Sequence, residues 1–174
     1  HIVVGEGEKA FLRIVSGAAR EKIVEVVNED PLDDLPLPAR HLVNYNDYQF
    51  PTPGKGLVRM DTILTSRGCP FSCLFCFNRN TKVRYRDVKK CADEILLSHE
   101  KYKTKFFMFL DDTLTISKER IAELCDEIIK RGLHKSVAFY ANARADRVDF
   151  ETLKMMKHAG VVEISMGIES GNQQ

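Results

Sequence analysis

Apolar and polar positions along this chain switch between two periods, and the switches mark its elements. Ile2-Val3-Val4 is a continuous apolar run, as in a short buried strand. After the turn Gly5-Glu6-Gly7-Glu8, the residues Phe11, Ile14 and Val15 recur at helical spacing up to Gly17. Lys22 to Val27 then alternates like a strand. From Met60 the pattern becomes regular. Met60 to Thr65, Lys105 to Leu110, Ser136 to Ala141 and Val161 to Gly167 read as strands. Helical patterns fill the gaps, opened by the capping residues Asp87, Ser117 and Asp149. Val88, Cys91, Ala92, Ile95 and Leu96 share a face in the first; Ile121, Leu124, Cys125, Ile128 and Ile129 share one in the second. Gly132 and Gly160 stop the second and third.

Strand and helix in alternation predict an α/β fold, with a parallel sheet and right-handed helical crossovers. Residues 28–58 break the pattern. They are polar and hold Pro31, Pro36, Pro38, Pro51 and Pro53, and proline removes ladder donors, so this stretch reads as a linker or an extended wrap. The chain thus divides into residues 1–27, a linker 28–58 and a main unit 59–174. No helix follows the last strand, and the main unit reads as the first part of a larger sheet. An open strand edge invites pairing, so an edge-mediated dimer of this segment is expected. A strictly monomeric solution mass at high concentration would count against it.

Composition narrows the function. Hydrophobic residues at 44% and charged residues at 29% suit a soluble globular protein. A formal charge of +1 leaves no broad basic footprint for nucleic acid. No apolar run is long enough to span a membrane, and the N-terminus lacks the order of a secretion signal. There are five cysteines, and Cys69, Cys73 and Cys76 fall within eight residues. Such crowding is a poor disulfide framework and a good metal loop, which points to a reducing, cytoplasmic setting.

The spacing of the three is C-x3-C-x2-C. Thiolates suit iron–sulfur clusters and zinc. Three of them on a short loop can grip three corners of a cubane, leaving the fourth iron without a protein ligand. A structural zinc site is the alternative, but such sites have four ligands, commonly as paired C-x2-C knuckles. No second pair exists here, and the loop holds no histidine. Cys91 and Cys125 fall on apolar helical faces and read as core. A ferredoxin-type carrier would want a fourth cysteine followed by proline.

Further candidates stand at the ends of predicted strands, the edge at which parallel α/β sheets bind ligands. Asp111 and Asp112 follow the second strand, as ligand-binding acids or as turn residues leading to Ser117. Arg144 follows the third and can pair bidentately with a ligand carboxylate, or bridge to Asp146 or Asp149. In Gly167-Ile-Glu-Ser-Gly171, Glu169 can accept two hydroxyls, Ser170 can add a hydrogen bond, and the glycines permit close approach.

With Phe75 as the aromatic residue, Cys69 to Cys76 resembles C-x3-C-x-aromatic-C, the signature loop of radical S-adenosylmethionine (SAM) enzymes. Gly167 to Gly171, about a hundred residues later, resembles the fourth strand of that family, its cobalamin-dependent branch in particular. Ile2 to Glu8 resembles the last strand and helix of a cobalamin-binding domain. The resemblance implies a partial (β/α) TIM-like barrel, with about four of six units. It implies a 4Fe–4S cluster on Cys69, Cys73 and Cys76 whose open iron chelates SAM. Reductive cleavage would give a 5′-deoxyadenosyl radical that takes hydrogen from a small-molecule substrate, for methyl transfer or rearrangement. Phe75 would lie against adenine, Asp111 or Asp112 would meet the amino group, and Arg144 would hold the carboxylate. Glu169 and Ser170 would bond the ribose. A flavodoxin or ferredoxin would supply electrons, and the full-length protein would bind cobalamin. A methylthiotransferase is the other enzyme reading; it would carry a further domain with its own cysteines.

Overall fold

The computed structural model describes residues 1–27, 30–52 and 56–172. At the N-terminus, β1 (Ile2–Gly5), α1 (Gly7–Val15) and β2 (Ile23–Val26) form a βαβ unit with parallel strands. Its small core is Ala10, Ala19 and Val24, with Ile14 and Val26 packed against them. The burial expected for Ile2 to Val4 is not observed. One helix covers one face of a two-stranded sheet, so β1 stays exposed and Phe11, Leu12 and Val15 face outward.

Residues 30–52 make short 3-10 turns at Leu32–Asp34, Arg40–Leu42 and Tyr45–Asp47, then become β3 (Gln49–Thr52), antiparallel to β4 (Gly56–Ile63). The stretch expected as a linker therefore contributes an edge strand and the first residues of its neighbour. Pro51 is tolerated because an edge strand need not donate outward. Phe50 stacks on Phe106 with ring centroids 4.3 Å apart.

Arg40 ties the same stretch to the main unit. Its Nε donates to Asp61 at 2.6 Å and its Nη2 reaches Glu94 at 2.6 Å; Arg40 and Glu94 are buried and Asp61 is nearly so. The Tyr45 hydroxyl and the Ser98 hydroxyl also donate to Asp61, at 3.0 and 2.6 Å. Arg86 donates to Glu94 at 2.6 Å. Burial and the Asp61 carboxylate push the Tyr45 phenol up to about 12.

The chain continues through β5 (Ser66–Arg67), β6 (Arg84–Tyr85), α2 (Val88–Tyr102), β7 (Phe106–Phe109), α3 (Lys118–Lys130), β8 (Ala138–Ala143), α4 (Phe150–His158) and β9 (Val161–Met166). The main sheet has the order β3-β4-β7-β8-β9, with the last four strands parallel and in chain order. Ile63, Phe107, Phe109 and Phe139 pack from the sheet against Ile95, Ile121 and Leu124 of the helices. This is the partial (β/α) barrel read from the sequence. Asp87, Ser117 and Asp149 each accept a backbone N–H in the first turn of α2, α3 and α4. β8 begins two residues later than the alternation suggests. A 3-10 turn at Leu133–Lys135 ties the Ser136 and Val137 N–H groups back to the Leu133 carbonyl. Among the described residues no helix is long and apolar enough to cross a membrane.

Candidate functional site

The cysteine loop leaves the sheet where β4 ends. β5 and β6 pair as a two-residue antiparallel ribbon, Ser66 opposite Tyr85 and Arg67 opposite Arg84, which closes the base of the loop. At Gly68 φ is +96°, and a Cβ there would lie 2.3 Å from the Lys82 carbonyl oxygen, so only glycine makes this turn. Thr81 staples the first cysteine. Its hydroxyl oxygen accepts from the Cys69 N–H at 2.8 Å, and its own N–H donates to the Cys69 carbonyl at 2.9 Å. The Cys76 N–H donates to the Cys73 carbonyl at 3.1 Å, which closes a turn between the other two cysteines. Cys69 is buried; Cys73 and Cys76 are half-buried.

All three thiols line one cavity of about 660 Å³ at the carboxyl edge of the sheet, together with Phe75, Asp112, Arg144 and Glu169. Among the described residues no three His, Cys, Asp or Glu side chains are gathered round a single point. The fit to a metal group therefore rests on donor chemistry: three free cysteines of one short loop, soft donors all, line one cavity.

Each expected site residue has a definite place. Phe75 is 74% exposed and lines the cavity, so it is not a core aromatic. The Arg144 guanidinium lies 4.0 Å over the Phe71 ring, holds Asp146 with two bonds of 2.9 Å, and donates to Cys73 Sγ at 3.3 Å. The salt bridge and the cavity position thus coexist, while Asp149 pairs with Lys118. The Asp146 carboxylate holds the Arg144 guanidinium above its ordinary range, and Arg144 holds the Asp146 carboxyl below its own. Glu169 sits in the left-handed region, φ +61°, at the tip of a tight turn in which the Ser170 N–H donates to the Ile168 carbonyl at 2.6 Å.

The paired acids separate. Asp112 lines the cavity and accepts from Asn78 Nδ2 at 3.1 Å. Asp111 does not line it. The residue is 1% exposed, and its carboxylate accepts from the Thr65 N–H, the Thr65 hydroxyl and the Ser66 hydroxyl. Ser170 is also absent from the lining; its hydroxyl oxygen accepts from the Asn172 N–H at 3.0 Å. Asn142 and Ser165, register partners on β8 and β9, line the cavity although their sequence context did not single them out. The signal was there: in an extended strand Asn142 shares a face with Arg144.

Cys91 and Cys125 belong to the main core, and burial pushes both thiols up to about 12. Native alkylation at pH 8 should therefore label Cys73 and Cys76 while sparing Cys91 and Cys125 until the protein is unfolded, read by peptide mass spectrometry.

A second cavity, of about 670 Å³, lies between the N-terminal unit and the cysteine loop, and Glu6, Gly7, Asn78, Lys82 and Asp112 are among its walls. Arg67 bridges it to Glu6 at 2.9 Å and to Glu8 at 2.6 Å, and Arg84 also pairs with Glu6. The Arg67 hydrogen bond holds the Glu8 carboxyl below its ordinary range. Asp112 lines both cavities.

The sequence pattern of the radical SAM superfamily matches residues 63–174. The anaerobic magnesium-protoporphyrin IX monomethyl ester cyclase of Cereibacter sphaeroides is 37% identical over 173 residues, covering 94% of this chain and 26% of that protein. Among solved structures, the radical SAM methyltransferase TsrM of Kitasatospora setae, with tryptophan and a SAM analogue bound, superposes with a TM-score of 0.60 at 19% identity. That match covers 66% of this chain and 22% of the other. The same methyltransferase with cobalamin and a 4Fe–4S cluster bound gives 0.58 at 19% identity over 64% and 21%. At this identity the structural likeness shows the fold. The chain spans about a quarter of the length of these relatives.

Proposed function

This chain belongs to the radical SAM superfamily, and we propose that it is part of an enzyme that cleaves SAM reductively for methyl transfer or rearrangement on a small molecule. One observation carries the reading: three free cysteines of one loop line the same cavity as Asp112, Arg144 and Glu169. Cys69, Cys73 and Cys76 would hold a 4Fe–4S cluster, which when bound supplies one electron and an iron site open to SAM. The chain's own groups suit the rest of that ligand. Phe75 offers an apolar ring to adenine. Asp112 offers an anionic partner to the ammonium group, in place of the buried Asp111. Arg144 presents a planar fork to the carboxylate, exchanging Asp146 for a ligand of the same chemistry. Glu169 can accept both ribose hydroxyls.

The N-terminal βαβ unit reads as the end of a cobalamin-binding domain, and the stretch after it joins the barrel sheet through β3 and the start of β4. The cavity between that unit and the loop supports this, since Asp112 lines it as well as the thiol cavity, so that ligands in the two would be neighbours. Free thiols and a low-potential cluster suit a cytoplasmic setting and an electron donor such as flavodoxin or ferredoxin. β9 is the outer strand of the sheet, and its edge is where a second copy of this segment would pair.

The test is anaerobic reconstitution of the full-length protein, followed by metal and sulfide analysis and by SAM cleavage under a strong reductant. About four irons and four sulfides per chain are expected. Zinc without sulfide would overturn the reading.

Gly167 supplies a finer test. A Cβ there would fall 2.4 Å from Glu169 Oε1, so Gly167→Ala must displace that carboxylate. Iron content should be unchanged and SAM affinity should fall about tenfold, a loss of about 1.4 kcal/mol, read from the SAM-induced change in the electron paramagnetic resonance (EPR) spectrum of the reduced cluster.

A further inference from the structure

Asp111 stands outside both cavities, yet it is a buried carboxylate with three donors converging on it. Its Oδ2 accepts from the Thr65 N–H at 3.0 Å, and its Oδ1 accepts from the Thr65 hydroxyl at 2.7 Å and the Ser66 hydroxyl at 2.5 Å. The other side of Thr65 is gripped as well. The Thr65 carbonyl accepts from the Arg86 N–H at 2.9 Å and from the Arg120 guanidinium at 3.1 Å. Arg120 is itself fixed, 4.5 Å over the Tyr85 ring and bonded to the Arg86 carbonyl at 2.7 Å. Thr65 therefore has an anion at its N–H and a cation at its C=O, each matched to the local dipole.

A polar group is kept in so dry a place only where hydrogen bonds satisfy it. Here every partner belongs to the two residues that lead from β4 into the cysteine loop. The fixed points then run without a gap. Asp111 holds Thr65 and Ser66, Ser66 pairs with Tyr85 in the ribbon, Gly68 makes the obligatory turn, and Thr81 staples Cys69. Cys69, the thiol at the end of this series, is the buried one of the three.

We propose that Asp111 is a positioning residue that sets the first residues of the cysteine loop and thereby places Cys69 against the cluster. The proposal rests on the cluster reading above. It divides the work of two adjacent acids. Asp112 lines the ligand cavity, while Asp111 is buried against Thr65 and Ser66 and latches the strand end to the loop.

The experiment uses the full-length protein, reconstituted anaerobically, with Asp111→Asn, Ser66→Ala, Thr65→Val and Asp112→Asn. Iron release to excess chelator, the EPR spectrum of the reduced cluster without SAM, and far-ultraviolet circular dichroism are measured on each. Partners that orient metal ligands typically change metal affinity 10- to 100-fold, so Asp111→Asn should release iron roughly 10- to 100-fold faster, with an altered EPR spectrum and wild-type dichroism. Ser66→Ala and Thr65→Val should each release iron a few-fold faster, and Asp112→Asn should retain it as wild type does. Wild-type iron release and EPR in a folded Asp111→Asn would overturn the proposal. Should Asp111→Asn not fold, the two hydroxyl variants decide: unchanged release in both overturns it. A wild-type protein that takes up no iron and sulfide defeats the cluster reading, and this proposal with it; a wild type that loads beside variants that hold iron equally well defeats only the role of Asp111.

Discussion

Cys73→Ala in the full-length protein is expected to lower reductive SAM cleavage at least 100-fold, equivalent to about 2.7 kcal/mol of activation free energy, with cluster iron lost in parallel. The size follows from the count of donors at the cavity. Three thiols face it, and removing one leaves two corners of a cubane held. Neither remaining cysteine can stand in. Cys91 and Cys125 lie on α2 and α3 in the main core, and burial holds both thiols protonated. Cys91→Ala is the matched control: it removes a sulfur from the core and should leave cleavage in place. Liquid chromatography with mass detection of 5′-deoxyadenosine, beside iron analysis, checks the pair. Undiminished product from the Cys73 variant would remove the basis of the functional reading.

The largest effect on stability is expected at Arg40. Its side chain is 6% exposed, between Asp61 at 11% and Glu94 at 2%. Arg40→Met keeps an unbranched apolar stem and removes the charge, leaving buried Glu94 and nearly buried Asp61 short of their cation. Breaking a buried ion pair from one side costs about 3–5 kcal/mol, because the partner stays in the interior uncompensated. Tyr45 and Ser98 still serve Asp61, and Arg86 still serves Glu94, which places the loss toward the lower figure. For a chain of this size the melting temperature should fall by roughly 6–20 °C. Adding Glu94→Gln to Arg40→Met should recover part of it, since the cost lies in the stranded charge. A drop of only a degree or two, followed by thermal melts of both variants, would show that the clamp contributes little.

Much of the fold was legible because its signals are local. Asp87, Ser117 and Asp149 cap the helices they precede, and a cap needs only the next turn of backbone. The four parallel strands followed from short apolar runs separated by helical patterns, and the cysteine spacing named its own chemistry. β3 was hidden by Pro51 and by its place in a polar stretch. What makes it a strand is its antiparallel pairing to β4 and the Phe50 ring on Phe106, neither of which is visible from neighbours in sequence. The exposure of β1 was hidden in a similar way, since an apolar run does not say how many faces other elements will cover.

By itself, then, the sequence determined the order of the parallel strands and their helices, the loop of three thiols and the family to which the chain belongs. Tertiary structure alone decided which of two adjacent acids faces the cavity, that Arg144 meets Cys73, and that Arg40 is buried between Asp61 and Glu94. The division has a physical origin. Caps, periods and ligand spacing depend on residues within a few positions of each other, whereas the direction of a side chain depends on partners brought close only when the sheet has formed: Thr65 lies 46 residues before Asp111, and Cys73 lies 71 before Arg144.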